Sequence, residues 1–129
     1  MSLKILAVDG SRTMRDMLRI SLTGAGMIVA TAEDGLHGLE LLEEFHPDAI
    51  ISEVRMPRLD GFGFIEAVRR IDRLRAAPIL MLTTESAPEL KARARNAGAT
   101  GWIVKPFDPQ KLVMALHVIT EQGHPSLTA

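Results

Sequence analysis

The chain has no cysteine among its 129 residues. That excludes a disulfide framework and thiol chemistry, and it suits a reducing compartment, so a cytoplasmic location is expected. A charge imbalance is also missing. Fifteen Lys and Arg stand against sixteen Asp and Glu, for a formal net charge of −1. Nothing in bulk electrostatics draws such a chain to nucleic acid or to a membrane surface, and neither is expected as a partner. No apolar stretch approaches the roughly 20 residues that span a bilayer. The start, Met1-Ser2-Leu3-Lys4, enters a strand-like run without the anatomy of a signal peptide. Internal repeats, low-complexity segments and linkers are absent as well.

What remains is the composition of an ordinary globular domain. Hydrophobic residues make up 47% and charged residues 24%, and the length suits one domain with a real core. Short apolar runs at 4–8, 27–32, 48–53, 78–83 and 101–104 read as strands. Between them apolar residues recur at helical spacing: Met14, Met17, Leu18, Leu22; Leu36, Leu39, Leu42, Phe45; and Leu112, Leu116, Ile119. Segments 61–71 and 87–97 complete five helices. Ser11 or Thr13 would cap the first, Asp60 the third, and Asp108 before Pro109 the fifth. Gly24, Gly26 and Gly98 stand where helices should stop. The seven methionines are expected mostly in the core as adaptable filler.

Five βα units with short connections imply an α/β fold, a doubly wound five-stranded parallel sheet flanked by five helices. The runs at 48–53 and 78–83 are nearly continuously apolar, as strands buried on both faces should be. We expect one domain over residues 1–122, a frayed tail over 123–129, and no second domain to carry an output.

Three of the strand runs end in polar residues. If these are neighbouring parallel strands, Asp9, Glu53 and Thr83 meet at the carboxyl edge of the sheet, where ligands of open α/β sheets bind. Thr84 follows there, and Lys105-Pro106 follows the fifth strand. Two carboxylates with oxygen chemistry suit a hard cation such as Mg²⁺. A Lys ammonium and a Thr hydroxyl suit phosphoryl oxygens.

At this point the order of segments resembles the response-regulator receiver domain, specifically the stand-alone chemotaxis CheY type. The resemblance is carried by Leu3-Lys4-Ile5-Leu6-Ala7-Val8-Asp9, Thr13-Met14-Arg15, Ala32-Glu33-Asp34-Gly35 and Met56-Pro57-Arg58-Leu59-Asp60-Gly61. Ile79-Leu80-Met81-Leu82-Thr83 and the stretch from Ala97 through Gly98 and Trp102 to Phe107 complete it. It implies the flavodoxin-like strand order 2-1-3-4-5, which belongs to the family and is not read from this chain. It implies a signalling role without enzymatic activity, through phosphorylation-linked protein binding. A sensor histidine kinase or phosphotransfer protein would dock near the site. An effector, such as a flagellar switch component, would bind the face of 87–97, 101–104 and 108–121. Ala87, Leu90, Lys91, Trp102 and Ile103 are candidate contacts there.

Position by position, the resemblance puts the phosphoacceptor on Glu53 and the acidic pair on Asp9 and Gly10. It puts the switch hydroxyl on Thr83 with Thr84 beside it, the phosphoryl-binding lysine on Lys105 and the aromatic switch on Trp102. Mg²⁺ would be held by Asp9, Glu53 and the backbone carbonyl of Arg55. The resemblance also implies a cis Lys105-Pro106 bond, a form that only X-Pro bonds adopt at low cost.

The chain departs from the family at two of these positions. Glu53 is one methylene longer than Asp, so its carboxylate reaches further toward Lys105 and Thr83 and disturbs in-line geometry. Gly10 removes a carboxylate, which weakens Mg²⁺ binding. Both predict a poor phosphoryl acceptor. A direct Glu53–Lys105 pair would then either hold an activated arrangement, drawing Thr83 inward and letting Trp102 pack inside, or lock the inactive one. The alternatives are a phosphomimetic receiver and a naturally degenerate pseudo-receiver that binds protein constitutively. A flavodoxin-type phosphate loop is poorly matched by Asp9-Gly10-Ser11-Arg12-Thr13. The run Arg69, Arg70, Arg73, Arg75 reads as a solvated helix face. His37, His46, His117 and His124 show no metal-ligand spacing.

Overall fold

Apolar runs bounded by polar residues become strands in the computed structural model, which describes residues 2–121. They are β1 (Lys4–Val8), β2 (Ile28–Ala32), β3 (Ala49–Ser52), β4 (Ile79–Thr83) and β5 (Gly101–Val104). All pair in parallel, in the order β2-β1-β3-β4-β5. Every residue of β3 and β4 is buried, as interior strands covered on both faces require. The helices are α1 (Arg12–Gly24), α2 (Gly35–Leu41), α3 (Gly61–Arg69), α4 (Pro88–Ala97) and α5 (Pro109–Glu121), with one 3-10 turn at Asp72–Leu74.

Strand periodicity divides the core into two layers. Leu6, Val8, Ile50 and Met81 pack with Phe64, Ile65, Val68 and Ala94 on the side of α3 and α4. Ile5, Ala7, Ile51 and Leu82 pack with Leu18, Leu22, Leu112 and Leu116 on the side of α1 and α5. Ser11, not Thr13, caps α1 by accepting from the Met14 N–H. Asp60 caps α3 through Gly63, and Asp108 accepts from Gln110 at the start of α5. Gly98 ends α4 at φ 116°, a left-handed conformation that a side chain would strain.

Several expectations need correction. The apolar period of α2 runs to Phe45, but the helix stops at Leu41 and continues as a tighter turn. Glu43 and Glu44 donate three residues back, to Glu40 and Leu41. Leu42 stays fully buried there, so the side-chain period outlives the helix. α3 stops at Arg69 rather than at 71. Of the described methionines only Met27 and Met81 are buried. Met14 and Met56 lie at the core margin, and Met17 and Met114 are exposed. Arg69 leaves the solvated face. Its guanidinium bonds the Gly98 carbonyl at 2.6 and 3.1 Å and the Leu74 carbonyl at 2.8 Å, satisfying carbonyls beyond the helix ends. Burial pulls its pKa down. The expected tail lies outside the described residues. No helix among them is long and apolar enough to cross a membrane.

Candidate functional site

Parallel register fixes the site's backbone. Val8 sits opposite Ser52, and Thr83 opposite Val104. The ladder runs one bond past these strand ends. Asp9 donates to Ala32, Glu53 to Val8 and Lys105 to Thr83, at 3.0, 2.9 and 2.7 Å. Asp9 and Glu53 are thereby held side by side at the carboxyl edge, and the Lys105 side chain reaches them across the end of β4. The first glycine of α3 supports this loop from below. A Cβ at Gly61 would come within 2.3 Å of the Glu53 carbonyl oxygen, so only glycine permits the contact.

Lys105 Nζ donates to Glu53 Oε1 at 2.8 Å and to Asp9 Oδ2 at 2.9 Å. The remaining carboxylate oxygens are also engaged. Asp9 Oδ1 accepts from the Ser11 N–H at 2.8 Å, and Glu53 Oε2 from the Val54 N–H at 2.5 Å. The side chains of Lys105 and Glu53 are each 12% exposed and that of Asp9 4%, so water screens the triad little. Burial pulls the Lys105 pKa down. The hydrogen bonds to Glu53 and Asp9, with their charges, outweigh it and hold the ammonium above the usual lysine value. The Lys105-Pro106 bond is cis.

The other expected residues divide. Thr83 is buried at the end of β4, but its Oγ1 accepts from the Glu85 N–H at 3.2 Å. Glu53 therefore does not reach it: one carboxylate oxygen goes to Lys105 and the other folds back on its own chain. Thr84 is exposed, and no side-chain hydrogen bond ties it to the cluster among the described residues. Trp102 is half-buried against the α3–α4 side of the core, and its Nε1–H donates to the Glu85 carbonyl at 3.0 Å. It borders a groove of about 220 Å³ shared with Lys91, Ala94, Arg95 and Ala99. Leu90 packs on the same core layer and Ile103 on the opposite one.

The donor set fits Mg²⁺ poorly. Among the described residues no three Asp, Glu or His side chains cluster as metal ligands. Two carboxylates remain, with an ammonium already between them, where a hard cation needs a shell of oxygens. The gap is at Gly10. A Cβ there would meet only the Glu33 carbonyl and Pro57 Cδ, both at 3.8 Å, so space for an acid exists and the acid does not.

Sequence reasoning missed two ion pairs on the loop after β3. Arg55, expected to offer its carbonyl, also extends its side chain, and Nε meets Glu85 Oε1 at 2.7 Å. Arg58, at φ 65°, grips Asp34 with two bonds of 2.7 and 3.1 Å while Asp34 caps α2 through the His37 N–H. That Arg58 hydrogen bond holds the Asp34 carboxyl below its usual value, against the opposing effect of burial. Asp34 followed by Gly35 before an apolar period was a legible capping signal; its arginine partner 24 residues away was not.

Comparison with known proteins agrees with this architecture. The model of the response regulator receiver domain matches residues 5–117. The chemotaxis protein CheY4 of Vibrio cholerae is 44% identical, with a TM-score of 0.89, over 92% of this chain and 99% of that one. The receiver domain of the sensor histidine kinase PA1611 of Pseudomonas aeruginosa PAO1, solved with a magnesium ion in its active-site cleft, is 25% identical. Its TM-score is 0.86, over 94% of this chain and 99% of that one. Response regulator MprA of Mycobacterium bovis is 35% identical over 126 residues, which is 97% of this chain and 54% of MprA. The chain thus spans about half the length of the curated relatives it matches. With the strand order, the polar carboxyl edge and these matches together, the chain belongs to the response regulator receiver domain family of two-component signalling.

Proposed function

We propose that this receiver domain acts by protein binding without a phosphoryl group on its acceptor position, which is Glu53. The observation that carries the reading is Lys105 Nζ, bonded at once to Glu53 and Asp9. In phosphoryl transfer, positioning and charge neutralisation supply most of the catalysis. Here the would-be nucleophile has one oxygen tied to the ammonium and the other turned onto the Val54 N–H. Neither is placed for in-line attack. Mg²⁺ binding is weakened by Gly10, so the charge that Mg²⁺ would offset stays on the site.

Lys105 instead finds in Glu53 the anionic partner that a phosphoryl group would provide. Trp102, half-buried against the core with its indole N–H bonded to the Glu85 carbonyl, supports an activated-like arrangement over a locked inactive one. In this reading Thr83 and Lys105 are the phosphoryl-binding pair left without a phosphoryl group. A sensor histidine kinase or phosphotransfer protein docks near the edge carrying Asp9 and Glu53. An effector binds the α4–β5–α5 face around Trp102. The likeness to a chemotaxis protein supports a flagellar switch component as that effector.

The test is incubation with acetyl phosphate and Mg²⁺, read by intact mass, beside the double variant Gly10→Asp/Glu53→Asp. The chain should gain no mass and the double variant one phosphoryl group. A stoichiometric, acyl-phosphate-labile adduct on Glu53 would overturn the reading.

A further inference from the structure

Glu85 lies between β4 and α4, outside both elements, yet it is gripped at three points. Its N–H donates to Thr83 Oγ1 at 3.2 Å. Its carbonyl accepts from Trp102 Nε1 at 3.0 Å. Its carboxylate accepts from Arg55 Nε at 2.7 Å. The grips come from the end of β4, from β5 and from the loop that begins at Glu53.

From these contacts we infer that the Arg55–Glu85 ion pair positions Trp102. It fixes the residue whose carbonyl holds the indole N–H, and so ties the loop after Glu53 to the half-buried place of the aromatic side chain. Arg55 and Glu85 are positioning residues for the Trp102 face. The inference goes beyond the acceptor reading and holds whether or not Glu53 takes a phosphoryl group.

Charge and exposure set the strength of this tie. The Arg55 side chain is 73% exposed and that of Glu85 28%, so the pair is modest and screened by salt. A modest term suffices when a side chain divides between two places of similar energy, because the population then follows small differences. Many exposed ion pairs have no measurable effect. This one differs in that its acidic member also carries the carbonyl that receives the indole.

The chain supplies its own probe. Trp102 is its single tryptophan and it has no tyrosine, so emission reports that side chain alone. Acrylamide quenching should rise about two- to threefold in Arg55→Ala. It should rise further in Arg55→Glu, where Glu85 is repelled. In the unaltered chain quenching should rise as NaCl is raised from about 0.05 to about 1 M, as screening requires, and Arg55→Ala should be indifferent to salt. The salt series needs no variant to fold. Quenching in Arg55→Ala equal to that of the chain, or quenching of the chain indifferent to salt, would overturn the inference.

Discussion

Lys105→Met leaves Asp9 and Glu53 side by side without the cation bonded to both. Removing one member of a buried ion pair costs about 3–5 kcal/mol. Each carboxylate here keeps one backbone N–H, and the Glu53 side chain is 12% exposed. We therefore expect Lys105→Met to cost about 2–4 kcal/mol. The sharper expectation concerns Glu53→Gln in two backgrounds. With Lys105 present, it replaces an ion pair bonded at 2.8 Å by an ammonium–amide hydrogen bond and costs about 1 kcal/mol. In Lys105→Met it removes a carboxylate that faces another without compensation, and stabilises by about 1 kcal/mol. The coupling is about 2 kcal/mol, within the range for residues in contact. Urea unfolding of the four proteins, with a common slope, measures it. Glu53→Gln acting with the same sign and size in both backgrounds would refute the claim that Lys105 and Glu53 neutralise one another.

Two further outcomes follow from the site and its loop. Gly10→Asp fits without displacing a neighbour, since its Cβ meets nothing closer than 3.8 Å. It should lower stability without divalent cation and recover it in MgCl₂, whereas the unaltered chain should shift little; a thermal melt with and without the salt compares them. Asp34 is held below its ordinary carboxyl value chiefly by the hydrogen bond from Arg58. A lowered folded value means that its stabilisation is present above about pH 4 and is lost as pH falls through that lower value. The stability gap between the chain and Arg58→Met should therefore be widest at neutral pH and close on acidification, and a gap constant down to about pH 3 would contradict it.

How far the sequence reveals this molecule depends on the range of each interaction. The strands were legible because apolar runs such as Ile79–Leu82 end abruptly in polar residues, and parallel pairing then carries Asp9 and Glu53 to one edge. Caps at Ser11, Asp60 and Asp108 are local chemistry and were read from single residues. The end of α2 was not legible, because Leu42 and Phe45 keep the helical period through a turn that is no longer helix. The fold-back of Glu53 Oε2 onto the Val54 N–H depends on rotamers that spacing does not encode. Arg69 with Gly98, Arg58 with Asp34 and Arg55 with Glu85 join residues 24 to 30 positions apart. Sequence shows those arginines as surface charge, and only the packed loops give them partners.

Glu53, bonded to Lys105, is proposed to stand in for a phosphoryl group and so to favour the arrangement in which Trp102 packs on the core. The most direct measurement is fluorine NMR of the chain carrying 5-fluorotryptophan, whose one tryptophan gives one reporter. It would be compared with Glu53→Asp, both free of phosphodonor. The chain should give a signal dominated by the half-buried place of Trp102, and population should move away from it when the shorter Asp carboxylate withdraws from Lys105. An unchanged spectrum, or a larger half-buried population in Glu53→Asp, would overturn the role given to Glu53.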